Sequence, residues 1–106
     1  MLRKIDNKTV ESSQGYIVRV IDIHYAEYSE GSKAAIVEIE GGINESGNVD
    51  WSIYRKSLKG WNTPFDDIKM TEDEQKTIVD RISECLKVLG MQHKVVGGVR
   101  SQHLTD

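Results

Sequence analysis

Alternation of apolar and polar positions governs the chain up to about position 55, and helical spacing takes over only after position 70. Leu2-Arg3-Lys4-Ile5 and Thr9-Val10-Glu11 flank the polar turn Asp6-Asn7-Lys8, which predicts a short hairpin. Tyr16 to Tyr25 is the longest apolar stretch. Ile17, Ile21, Ile23 and Tyr25 share one face and Tyr16, Val18 and Val20 the other, the pattern of a central strand. Ser29-Glu30-Gly31-Ser32 reads as a turn cluster. Lys33 to Glu40 alternates again, with Ala35, Val37 and Ile39 on one side and Ile36, Glu38 and Glu40 on the other. Gly41 to Asn48 is glycine-rich and reads as a loop. Val49 to Arg55 gives another strand, with Trp51 and Ile53 on one face and Ser52 and Tyr54 on the other; the pattern leaves open which pair faces inward.

Ser57 to Asp67 is a connector that holds Trp61 and the single proline, Pro64. Beyond it, Thr71 followed by Glu74 forms a capping-box pattern, and Glu72, Asp73 and Glu74 place anions at the positive end of a helix dipole. Ile78, Val79, Ile82, Cys85, Leu86 and Leu89 make one stripe of period 3.6, and Gly90 is placed to end the helix. The helix is therefore expected over about 71–89. Met91 to Val96 can form a last strand, broken by Gly97-Gly98. Residues 97–106 carry no pattern and read as a mobile tail, leaving 1–96 as a single domain. A half-buried sheet needs a cover for its apolar face, and one amphipathic helix is available. The expected fold is α+β: a mostly antiparallel sheet of about five to six strands packed against one helix in the C-terminal half.

Composition sharpens this picture. Valine and isoleucine together number 21 against 5 leucines, a balance that favours strands. The chain has 106 residues, a size at which one domain builds a core without staples. Its single cysteine, Cys85, excludes an internal disulfide. A net charge of −3 gives no basic face for general nucleic-acid binding. No apolar run approaches the ~20 residues of a membrane span. A soluble, cytoplasmic protein is expected, with neither membrane nor nucleic acid as a direct partner.

Candidate chemistry is sparse. His24, His93 and His103 lie on different segments, with no HxH, HxxxH or CxxC spacing, so no metal ligand set is expected. Cys85 falls in the middle of the helical stripe, where burial keeps a thiol inert. Gly41-Gly42 lacks the Lys-Ser/Thr and helix opening of a phosphate cradle. No catalytic or cofactor-binding residues are assigned. Tyr25, Glu27, Tyr28 and Glu30 lie close together, and Glu38 and Glu40 belong to the next strand. Aromatic anchors ringed by carboxylates suit a partner-binding patch that steers a basic protein. These six residues form the candidate site. Two other readings compete: an adaptor module joined through an exposed sheet edge, and a small-ligand pocket formed by Glu38, Glu40 and His24.

One ordered set of residues resembles a known family. Trp61-Asn62-Thr63-Pro64 is followed by an acidic stretch, by Met70-Thr71-Glu72-Asp73-Glu74, by Ile78 and Ile82, and by Leu86 to Gly90. Upstream stand Val37-Glu38-Ile39-Glu40-Gly41, Ile53-Tyr54 and Ser57. From Gly15 to Val96 this order is similar to that of small bacterial immunity proteins of polymorphic toxin and contact-dependent growth inhibition systems. The resemblance implies a non-enzymatic inhibitor without cofactors. Its partner would be the C-terminal domain of a cognate toxin, with a nuclease as the leading class, held in a 1:1 heterodimer. Glu27–Gly31 and Gly41–Asn48 would be contact segments.

Overall fold

Seven strands and one long helix make up the described part of the computed structural model, residues 1–43 and 45–97. The strands are β1 (Leu2–Asp6), β2 (Thr9–Ser12), β3 (Tyr16–Val20), β4 (Tyr25–Glu30), β5 (Lys33–Ile43), β6 (Val49–Tyr54) and β7 (His93–Val96). A 3-10 turn, Arg55–Ser57, follows β6, and helix α1 covers Glu72–Val88. All strands join one sheet in chain order. Every neighbouring pair is antiparallel except β6 and β7, which run parallel because α1 lies between them in the chain. The α+β architecture agrees with the sequence pattern, with one strand more than expected.

The additional strand comes from a turn inside the longest apolar stretch. Asp22 Oδ1 accepts the backbone N–H groups of His24 (2.7 Å) and Tyr25 (3.0 Å), and Ile21 N–H donates to the Tyr25 carbonyl. That side-chain turn stops β3 at Val20 and sends Tyr25–Glu30 back along it as β4. Ile21 and Ile23, expected on a central strand, are therefore partly exposed at its end.

The other correction is at Gly41 and Gly42, which continue β5 to Ile43 instead of opening a loop. Gly41 lies opposite Trp51, and a β-carbon there would come within 3.1 Å of the indole ring. The missing side chain makes room for Trp51 on the sheet surface.

One sheet face carries Val10, Val18, Val20, Ala26, Tyr28, Ala35, Val37, Ile39 and Ile53, all buried. Helix α1 covers it with Ile78, Val79, Ile82, Cys85 and Leu86. Both ends of the helix are built as its sequence dictates. Thr71 Oγ1 accepts from Glu74 N–H and Glu74 Oε1 accepts from Thr71 N–H, each at 3.1 Å. At the other end Gly90, at φ +77°, lets Gly90 N–H reach the Lys87 carbonyl and Met91 N–H reach that of Leu86. The connector holds Trp61 in the core, and its Thr63–Pro64 peptide is cis. The expected tail, 97–106, lies outside the described residues except for Gly97.

Candidate binding face

Strand register decides which candidate residues can act together. Tyr25 lies opposite Glu38, and Glu27 opposite Ile36, while Tyr28 lies opposite Ala35. Side chains alternate between faces, so Tyr25, Glu27, Glu38 and Glu40 share the face turned away from α1. Tyr28 and Glu30 belong to the opposite, helix-covered face. The six residues singled out in the sequence are thus divided by the sheet.

Tyr28 is fully buried, so it offers no surface to a partner. Its hydroxyl donates to Glu30 Oε1 at 2.7 Å and accepts from Arg81 Nη1 at 2.6 Å. Arg81 also stands 3.6 Å from Glu30 Oε1, and its guanidinium lies 4.6 Å from the centre of the Tyr16 ring. Burial, with the Glu30 carboxylate beside it, pushes the Tyr28 phenol up to about 12. Tyr16, Tyr28 and Trp61 form a chain of ring contacts at 5.5 and 6.2 Å, with Lys33 Nζ 4.8 Å from the centre of the Trp61 ring. This group fastens α1 and the connector to the sheet.

The outer face is half-exposed and mixed. Glu11 pairs with Arg3 at 2.6 Å and Glu27 with Arg19 at 3.4 Å, so charge across β1–β4 is largely balanced. Across β5 and β6 it is not. Glu38, Glu40 and Asp50 fall on the outer face there, and Lys94 on β7 is the nearest cation by register. Tyr54 Oη donates to Glu40 Oε1 at 2.6 Å and fixes that carboxylate. Ile17, Ala34 and Ile36 supply partly exposed apolar surface beside the acids. Asp50 and Ser52 were not foreseen as part of this face, and Tyr54, on the same side of β6, is itself buried and holds Glu40 from beneath. Their contribution depends on β6 presenting Trp51 and Ile53 to the core, the choice that the alternation left open.

The other candidate groups are dispersed. Cys85 is buried within the helix–sheet interface, and burial, with a smaller effect of Glu84, pushes its thiol up to about 11. His93 lies far along the sheet from His24. Its Nε2 is 2.6 Å from Ser83 Oγ and its Nδ1 2.8 Å from the Met91 carbonyl. The carbonyl can only accept, so Nδ1 donates to it, and the Nε2–Ser83 hydrogen bond ties β7 to α1. Among the described residues no three of His, Cys, Asp and Glu gather as a metal site. No helix among them is long and apolar enough to cross a membrane.

Comparison with known families turns this open acidic face into a functional statement. The family model for immunity protein 74 matches residues 18–96. The chain belongs to the immunity protein 74 family. No curated protein matches it, and no solved structure does. The matched region starts within β3 and ends with β7, so it takes in β4–β6, the acidic part of the outer face, and the whole helix. Membership makes this an immunity protein, with a toxin protein as its partner.

Proposed function

We propose that this immunity protein neutralises a nuclease toxin domain of a contact-dependent inhibition or related polymorphic toxin system, in the cytoplasm of the cell that makes both. It acts by binding alone, as a 1:1 heterodimer with the C-terminal domain of the toxin. The observation that carries the reading is the gathering of Tyr25, Glu27, Glu38 and Glu40, with Asp50, on a sheet face that α1 leaves open. A nuclease is basic where nucleic acid docks, and an anionic face steers encounter with such a surface. Tyr25 and the apolar side chains of Ile17 and Ile36 give the contact area that charge alone does not provide. Tyr28 and Glu30 act behind this face, by holding α1 in place.

The test is titration calorimetry and stopped-flow association with the toxin domain encoded by the neighbouring reading frame. Nanomolar binding is expected, at one toxin per chain. The double variant Glu38→Lys, Glu40→Lys should slow association at least tenfold at low salt, with a smaller effect at high salt. Asp80→Lys, on the exposed side of α1, should leave it unchanged. Absence of binding by the unaltered chain would remove this proposal.

A further inference from the structure

Strand β5 is longer than the strand before it. The last pair between β4 and β5 is Tyr25 with Glu38, and Ile39 N–H donates to the His24 carbonyl at 2.8 Å. The Asp22 turn then takes the chain away. Glu40–Ile43 runs on with β6 alone, through the pairs Glu40–Ser52, Gly41–Trp51, Gly42–Asp50 and Ile43–Val49. The sheet therefore has a step about 14 Å long on the β4 side of β5.

The direction of the backbone groups at this step follows from the ladder. Ile39 N–H points toward β4, so with a period of two the amides of Gly41 and Ile43 do too. Glu38 N–H, one residue out of phase, points the other way and is taken by Ser57 Oγ at 2.7 Å. Trp51 N–H turns from Gly41 to the Gln92 carbonyl, which agrees with that phase. Among the described residues, the N–H and C=O groups of Gly41 and Ile43 meet no partner strand on this edge. Elsewhere β5 is covered: near its start, the connector takes the place of β6, and Asn62 N–H donates to the Ala34 carbonyl at 2.7 Å.

The surroundings of the edge select an occupant. Gly41 and Gly42 have no side chains to obstruct approach, and Ile43 (71% exposed) and Val49 (50%) stand open at its end. On the outer face, a shallow cleft of about 250 Å³ is lined by Glu40, Gly42, Asp50, Ser52 and Lys94. Its two carboxylates outnumber its one cation, and Glu38 lies one step along the same face. Resting on the immunity reading above, we infer that the Glu40–Ile43 edge takes an extended segment of the toxin as an added strand. Backbone hydrogen bonds to Gly41 and Ile43 hold it. A basic side chain opposite Glu40 lies on the outer face of the added strand, and apolar ones on its other face lie beside Ile43. An unpaired edge bounded by glycines and carboxylates provides both the backbone partners and the charge that such a segment needs.

Amide hydrogen exchange of the full chain, with and without the toxin domain from the neighbouring reading frame, tests this. The Gly41 and Ile43 amides should exchange at least tenfold more slowly in the complex, while Glu40 and Gly42, already directed at β6, change little. Ile43→Pro, which removes one of the two donors, should weaken binding at least tenfold while melting stays within a few degrees of the parent chain. Tight binding with unchanged exchange at both amides would overturn the inference and leave the immunity reading intact. Slow exchange at both amides before toxin is added would also overturn it, because the edge would already be occupied. No binding at all would overturn both.

Discussion

Arg81 Nη1 stands 2.6 Å from the hydroxyl of Tyr28, joining the middle of α1 to the core face of β4 across 53 residues of sequence. The phenol also donates to Glu30, so one buried hydroxyl links a helix cation to a strand carboxylate. Arg81→Met keeps much of the apolar stem but leaves the phenol with one partner fewer. A loss of about 1–3 kcal/mol is expected from chemical denaturation. Unchanged stability would show that this contact does not hold the helix.

The same phenol makes alkaline stability dependent on Tyr28. Its folded value of about 12 lies above the ordinary 10, so the folded chain keeps the proton that the unfolded chain has released. Stability from this group is complete below pH 10 and falls as pH rises from 10 toward 12. Ultraviolet titration should show Tyr28 ionising near 12. Tyr28→Phe should remove that step and flatten the fall in melting temperature over the same interval.

Cys85 should resist thiol reagents in the folded protein. It is fully buried, and its thiol is held near 11 against an ordinary 9, so little thiolate forms at neutral pH. Labelling by an aromatic disulfide should be slow without denaturant and fast in denaturant. Rapid labelling of the folded chain would place Cys85 outside the helix–sheet interface.

Trp61 closes the core between the connector and the sheet, 5% exposed and in ring contact with Tyr28. Its Nε1 is buried without a hydrogen-bond partner among the described residues, so its contribution is packing, not a polar tether. Trp61→Ala should cost about 3–5 kcal/mol by thermal or chemical unfolding. A variant that melts like the parent chain would assign the indole to an interface instead.

Local order in the sequence was enough for the helix and most of the sheet. The Thr71–Glu74 box, the stripe from Ile78 to Leu89 and Gly90 each act within a few residues, and all three appear as the pattern requires. The strand Tyr25–Glu30 was hidden because Ala26 is a small core residue between larger polar ones, and because Asp22 turns the chain through its side chain. The strand character of Gly41 and Gly42 was hidden for a related reason: it depends on Trp51, ten residues away, needing the space.

The binding face shows where one-dimensional reading ends. Tyr25, Glu27, Tyr28 and Glu30 are neighbours in the chain, and so they looked like one patch. The ladder sets Tyr25 against Glu38 and Tyr28 against Ala35, and the strand period of two then sends Tyr28 inward and Tyr25 outward. The sequence by itself determined the helix, its caps, the β-rich class and the family resemblance, because these depend on residue type at short spacing. Only the tertiary structure decided which acids stand together and where β5 is left without a neighbour. Both follow from register and relative strand length, which arise between segments and are encoded in no single one of them.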